Sequence, residues 1–343
     1  MHAIISLEDA LKLDNPIYID MRSPAEYENG RIPGAINVPL FDDLERSQVG
    51  TIYKIEGPDE AKKLGLTLVS GKLPEIVSQI RQQYKTGRTV IVYCWRGGMR
   101  SKAVVSVLEL MGIPARQLLG GYKNYRRYIL DSLENFATLP PIVVLCGSTG
   151  VGKTTLLTML SERGLPVIDL EKLANHRGSA FGQVGLGRSA TAQNFDAALL
   201  AELQRLQNQP FILVECESKR IGNVYLPNVL YQAMQHGRKI LAHATVETRV
   251  SRLMEEYLDI FATNRDEIAA SLSSLKNRLG IAKTEKLLTA FAAGQVRDVV
   301  RILLVDYYDI LYGYEKADPA TFDYIVDAEN LDQASCQIID YLT

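Results

Sequence analysis

Cysteine is scarce in this chain: there are four among 343 residues, at positions 94, 146, 216 and 336. Their spacing matches neither a metal-ligand pattern nor a disulfide framework, which argues against a stapled scaffold and a zinc-ribbon module. Charge of one sign is also missing. The formal net charge is −2, so nothing drives the whole molecule toward nucleic acid, and a polyanionic partner must be met by local basic patches. No apolar run is long enough to span a membrane. The opening stretch "MHAIISLEDALKLDN" carries Glu8 and Asp9 and lacks a signal-peptide pattern. No internal repeat and no low-complexity tract is present. These absences lead us to expect a reducing cytoplasm. Apolar residues at 47% and charged residues at 23% can fill a sizeable core, and the length suggests two domains.

The pattern is alternating α/β. "PIYIDMRSPAEYENGRIPGAINVP" holds a short strand, a polar turn and a second short apolar segment, and "TVIVYC" and "ARQLLGGY" supply strands around a helix. This predicts a first domain over residues 1–130. "DSLENFATLPP" reads as a connector closed by two prolines, giving a linker over 131–141. A second domain over 142–343 begins at "IVVLCGSTGVGKTTLLTML", with strand candidates "PVIDL", "FILVE", "KILAHA" and "FDYIVDA". Before the last strand, helical periodicity with few breakers predicts an insertion over about 246–314.

"YCWRGGMRSK", Tyr93 to Lys102, follows a buried-strand pattern and precedes a helical one that ends on Gly112. Cys94 therefore sits on a strand-to-helix turn. Gly97 and Gly98 allow inward-pointing N–H groups, and such nests attract anions. With the helix N-terminus and Arg100, the turn favours a thiolate nucleophile at Cys94. A buried structural cysteine is the plainer alternative, and it leaves both glycines and Arg100 unexplained.

"GSTGVGKT", Gly147 to Thr154, fits G-x-x-x-x-G-K-[ST] and lies between a strand and a helix. Loop amides of Gly147, Ser148, Thr149, Gly150, Val151 and Gly152, with Thr155 beyond, should wrap a diphosphate. Lys153 should neutralise its distal phosphate and Thr154 should hold Mg²⁺. Glu215, ending "FILVE", is where such a fold places a carboxylate near the metal. Glu217 is a second candidate, weighed evenly against a solvated loop acid. "DLEKLANHRGSAFG" brings Asp169, Glu171, His176, Arg177 and Ser179 just past another strand end, and strand C-termini converge on the ligand crevice. Arg220 in "ESKRIG" completes these candidates. Arg249 and Arg252 share a helix face and read as closing over the diphosphate or, slightly preferred, as solvated.

"DMRSPAEYENGRIPGAINVP" resembles the N-terminal signature of rhodanese domains through Asp20, Arg22, Glu26, Tyr27, Gly30, Ile32, Gly34, Ala35 and Pro39, with Arg31 where that family usually has His. Five residues separate Cys94 from Arg100. That loop is longer than in many sulfurtransferases, closer to Cdc25-type phosphatases, and fits a phosphate-sized anion. Both domains together resemble the tRNA 2-selenouridine synthase family. The match rests on "VGTIYKIEGPDEAKKLG", "YCWRGGMRS", "LLGGYKNYRR", "GSTGVGKT", "DLEKLANHRGS" and "ESKRIG" in that order.

The resemblance implies a transferase that replaces the sulfur of wobble 2-thiouridine with selenium from selenophosphate, after geranyl diphosphate has given an S-geranyl intermediate. Cys94, Arg100 and Lys153 would be catalytic. Trp95, Arg96, Gly97, Gly98, Met99 and Ser101 would form the selenophosphate nest. Geranyl diphosphate would lie on the P-loop, with Mg²⁺ at Thr154 and Glu215 and no redox cofactor. The partners implied are a tRNA anticodon arm and selenophosphate synthetase, with no membrane. For tRNA, Lys123, Arg126 and Arg127 in "GYKNYRRY" are interleaved with tyrosines that could stack bases, or could equally pack inward. Two other readings stand beside this one. One is a Cys-dependent phosphatase or arsenate-reductase-like enzyme with a nucleotide-binding regulator, which would hydrolyse a generic aryl phosphate and ignore tRNA. The other is a P-loop switch with a sulfur-binding sensor, which would bind a nucleotide and turn over nothing.

Overall fold

The computed structural model describes residues 3–84, 87–136, 139–179, 181–314 and 318–343, without the side chains of 258, 259 and 262. Contacts divide the chain into two units. The first is Met1–Leu133 with Thr191–Leu200, and the second is Glu134–Ala190 with Ala201–Thr343.

The first unit is built on a five-stranded parallel sheet in the order Ile4–Ile5, Ala115–Leu118, Val90–Tyr93, Ile17–Asp20, Ile36–Asn37. Val90–Tyr93 is buried along its whole length, as expected for a strand covered on both faces. Its core joins Ile19, Val92, Val104 and Leu108 with Ile76 and Ile80 of the helix Leu73–Gln83. The edge strand Ile4–Ile5 carries little apolar alternation of its own, and the sequence pattern does not reveal it. The unit also takes in Thr191–Leu200: Thr191 Oγ1 donates to Asn29 O at 2.8 Å and Asn194 Nδ2 to Glu28 O at 3.1 Å. Nothing local to residues 191–200 announces this, because the partners are far away in sequence.

The helix Gly121–Glu134 buries Tyr122, Tyr125, Ile129 and Leu133. Its apolar stripe carries the helix through Asp131–Glu134, into the stretch read from sequence as connector. Ala137 and Thr138 of that connector lie outside the described residues.

The second unit also has a five-stranded parallel sheet, ordered Tyr324–Asp327, Arg238–His243, Ile142–Cys146, Ile212–Glu215, Val167–Ile168. The strand leading into the P-loop is central. All the strands expected from sequence are present, and a two-stranded antiparallel pair, Arg220–Ile221 with Val224–Tyr225, is added. The expected helical insertion is realised as Val246–Thr263, Arg265–Ser274, Lys276–Leu279, Ile281–Ala292, Val296–Leu303, a π-helical turn Leu304–Tyr308 and Asp309–Tyr312. It has its own core, including Ile268, Leu272, Leu287, Phe291, Val299 and Leu304. Among the described residues, no helix is long and apolar enough to cross a membrane.

Candidate functional site

In the first unit, Cys94 follows the strand Val90–Tyr93 and is 3% exposed. The helix Met99–Leu110 starts immediately after Gly98. The Gly98 N–H donates to Cys94 Sγ at 3.3 Å, and Ser101 Oγ lies 3.3 Å from the same sulfur. Gln117 Nε2 donates to Gly97 O, Gly98 O and Ser101 Oγ, which fixes the rear of the loop. The turn is clamped from the other side by "LGGY": Tyr122 N–H donates to Cys94 O at 2.9 Å and Lys123 N–H to Trp95 O at 2.8 Å. That close approach requires Gly121, whose φ is +56°. A Cβ there would lie 2.2 Å from Cys94 O and 2.4 Å from Gly97 N. Gly97, at φ +62°, is equally constrained against Leu118 O. Trp95 stands beside Tyr122, with ring centroids 5.9 Å apart. Arg96, Gly98 and Met99 are exposed.

Arg100 is held differently from the sequence expectation. Its Nη1 donates to Glu26 Oε2 at 2.7 Å, so its charge is shared with a carboxylate of the rhodanese-like signature. Asp20, Arg22 and Gly30 of the same signature are joined through Arg22. Arg22, 1% exposed, makes a forked pair with Asp20, donates to Gly30 O at 2.5 Å and lies 3.9 Å over the Tyr122 ring. Of the basic stretch, Lys123 and Arg127 are exposed, while Arg126 is paired with Asp196 at 2.6 Å. Tyr122 and Tyr125 are buried, so the inward-packing alternative holds for these two rings.

In the second unit, the P-loop joins the central strand to the helix Lys153–Glu162. Gly147, Gly150 and Gly152 all have positive φ. Lys153 Nζ donates to Gly147 O at 2.7 Å, folded back over the loop. The expectation of solvated Arg249 and Arg252 is overturned. Arg249, 1% exposed, donates to Thr149 O at 2.9 Å and pairs with Asp309 at 2.5 Å. Arg252 donates to Val151 O at 2.8 Å and Ala328 O at 2.7 Å. Both bind backbone carbonyls of the P-loop, a tertiary role that spacing on one helix cannot show.

The loop faces a chamber of about 880 Å³ whose lining includes Gly147, Thr149, Gly150, Gly152, Lys153, Thr154 and Thr155. Asp169, Glu171, His176, Arg177, Ser179 and Glu217 reach it too. Thr154 Oγ1 lies 3.5 Å from Glu171 Oε2. Glu215 is fully buried behind them: one carboxylate oxygen accepts the Glu171 N–H at 2.6 Å, and Oε2 is without a partner among the described residues. Burial pushes the Glu171 carboxyl up to about 7. Burial, and then the charge of Glu171, push Glu217 up to about 8. Burial also raises Asp169 and, far more, Glu215. Among the described residues no group of three or more His, Cys, Asp or Glu is set to hold a metal. The oxygen donors Thr154 and Glu171, with the unpartnered Glu215 oxygen behind, suit a hard cation such as Mg²⁺ that keeps most of its ligands from phosphate and water.

His176 has a structural reason for its glycine neighbours. A Cβ on Gly182 or Gly222 would lie 2.6 Å from its ring, and its Nδ1 accepts the Gly178 N–H at 3.1 Å. Burial lowers its basicity. Arg177 donates to Val184 O at 3.0 Å and lies 5.1 Å over the Tyr257 ring. Arg220 is exposed on its own hairpin, bonded to Gly222 O, and is not part of the chamber wall. The chamber gains residues that sequence did not single out, among them Cys216, Tyr257, Tyr312 and Tyr314. The neighbouring Cys146 thiol holds the Cys216 thiol below its ordinary value.

Comparison with known proteins covers both units. A family model described as "tRNA 2-selenouridine synthase AAA domain" matches residues 140–333, and a "Rhodanese-like domain" matches residues 5–128. A tRNA 2-selenouridine synthase of Pseudomonas syringae pv. syringae (strain B728a) is 35% identical over 339 residues, covering 91% of each chain. One from Shewanella denitrificans is 36% identical over 325 residues, covering 87% of each. Among solved structures, the N-terminal domain of a Clostridium difficile 630 protein is 44% identical, covering 37% of this chain and 99% of its own, with a TM-score of 0.36. A rhodanese-like domain joined to this P-loop domain, with full-length relatives at such identity, places the chain in the tRNA 2-selenouridine synthase family.

Proposed function

We propose that the protein replaces the sulfur of a wobble 2-thiouridine in tRNA with selenium, in two steps that use separate anion sites. In the first, the thiocarbonyl sulfur bonds the allylic carbon of geranyl diphosphate. The carbon–oxygen bond breaks, diphosphate leaves with the electron pair, and the base loses its N3 proton. In the second, the selenium of selenophosphate attacks C2, geranylthiol departs, and water cleaves the P–Se bond to release phosphate. Alkylation has a clear purpose in this scheme, because a thiocarbonyl sulfur is a poor leaving group and a thiol is a good one.

The observation that carries the reading is the Cys94 turn: a thiol at a helix N-terminus, touched by the Gly98 N–H and Ser101, as an anion nest for the selenium donor requires. The P-loop supports the first step. Lys153 and the loop amides stabilise the departing diphosphate where its charge develops. Mg²⁺, bound through Thr154 and Glu171 with Glu215 behind, would supply further positive charge to that anion. Lys123 and Arg127, both exposed, are the tRNA-phosphate candidates that remain available on the helix Gly121–Glu134. The reaction belongs in the cytoplasm, where tRNA and selenophosphate synthetase meet.

The test is mass spectrometry of wobble nucleosides from selenite-grown cells with and without this chain. The reading expects 2-selenouridine only with it, and S-geranyl-2-thiouridine when selenium is withheld. An unchanged nucleoside profile contradicts it.

A further inference from the structure

The helical insertion lines much of an apolar cavity of about 60 Å³, with Phe261, Ile268, Leu272, Val300 and Leu304 in its wall. Its position is informative. Thr149, Ser179, Leu253 and Tyr257 line both this cavity and the P-loop chamber, and Thr149 belongs to the P-loop itself. Close-packed interiors leave few voids larger than a water molecule, so an apolar one sharing its lining with the P-loop chamber stands out. The wall is also specially built. The π-helical turn Leu304–Tyr308 buries both Tyr307 and Tyr308, and such turns are frequent at functional sites. Arg249 ties this wall to the loop, binding Asp309 on one side and Thr149 O on the other.

We propose that this cavity receives the distal part of a hydrocarbon chain whose diphosphate head lies on the P-loop. Leu253 and Tyr257 mark the junction where the ligand changes from charged to apolar. The chemistry of the wall selects the class of ligand. A nucleoside would bring ribose hydroxyls and ring nitrogens to aliphatic and aromatic carbon, leaving them without partners. A methyl-branched chain has no such groups, and its burial is favourable for every methylene removed from water. This inference rests on the reading of the P-loop as a prenyl diphosphate site and adds the place where chain length is measured.

The experiment is calorimetric binding of inorganic diphosphate, dimethylallyl diphosphate (five carbons) and geranyl diphosphate (ten carbons) to the full-length protein. Geranyl diphosphate should bind at least about tenfold more tightly than the five-carbon compound. Leu272→Trp, which fills the cavity, should abolish that advantage while leaving inorganic and dimethylallyl diphosphate binding unchanged. Leu272→Ala, which enlarges it and tolerates folding more readily, should shift the preference toward the fifteen-carbon farnesyl diphosphate. If the geranyl advantage survives Leu272→Trp and Val300→Trp, or chain-length ranking is unmoved by Leu272→Ala, the chain lies elsewhere and the diphosphate reading stands without this site. If the wild-type protein binds ATP and none of the three diphosphates, both readings fall together.

Discussion

Arg100 Nη1 and the Ser23 N–H both donate to Glu26 Oε2, at 2.7 and 3.2 Å. One carboxylate thus caps the helix Pro24–Asn29 and holds the basic residue of the cysteine loop. Burial pushes the Glu26 carboxyl up, but hydrogen bonding and charge from Arg100 bring it below its ordinary value. A carboxyl depressed in the folded state contributes stability above its unfolded value and loses it as pH falls through the folded one. Thermal midpoints of the wild type should therefore drop more steeply than those of Arg100→Ala on acidification from about pH 6 to pH 3. Parallel curves would show that the pair contributes nothing.

Gly121 and Gly57 separate crowding from backbone strain. Both have positive φ, yet a Cβ on Gly57 meets nothing within 4 Å, whereas on Gly121 it meets Cys94 O and Gly97 N. Gly57→Ala should cost about 1–3 kcal/mol, because φ +98° with ψ 178° is a backbone region open essentially to glycine alone. Gly121→Ala should cost more and abolish selenation by displacing the cysteine turn. Equal unfolding midpoints in denaturant would remove the clamp from the account.

Cys94→Ala should lose selenation while retaining S-geranylation of 2-thiouridine tRNA. S-geranyl-2-thiouridine should then accumulate, as read by nucleoside mass spectrometry. Normal production of 2-selenouridine by the variant would show that Cys94 does not handle selenium.

Glu171 and Glu217, raised to about 7 and about 8, charge up across neutral pH inside the chamber. Their folded values lie above the unfolded ones, so they lower stability progressively as pH rises from the ordinary carboxylate range to about 8. The same ionisation repels an anion. Inorganic diphosphate should bind roughly tenfold more weakly at high than at low pH across this window, without added Mg²⁺. Glu217→Gln should flatten that dependence. A wild-type affinity independent of pH would place the diphosphate away from the pair.

Much of this was legible in sequence wherever strand, turn and helix follow one another locally. "TVIVYC" before "WRGGMRS" and "IVVLC" before "GSTGVGKT" each fixed a strand end, a glycine turn and a helix start. Long-range pairings were not legible. Arg100 meets Glu26, Arg249 meets Asp309 and Thr149, and Thr191 meets Asn29 across spans that no periodicity encodes. The cavity was hidden for the same reason, since Leu253, Leu272 and Leu304 read as ordinary core positions of separate helices.

The central claim is the division of labour between the P-loop and the cysteine turn, and Lys153→Ala tests it most directly. Lys153 Nζ stands over the loop, 2.7 Å from Gly147 O, placed to move onto a departing diphosphate. Removing one such donor typically costs on the order of 10²–10³ in rate. The measurement is single-turnover formation of 2-selenouridine by the variant from two tRNAs, one carrying 2-thiouridine and one already S-geranylated. The account predicts severe loss on the first and near wild-type conversion of the second, because that step releases no diphosphate. Equal loss on both tRNAs with binding intact, or normal geranylation, would contradict it.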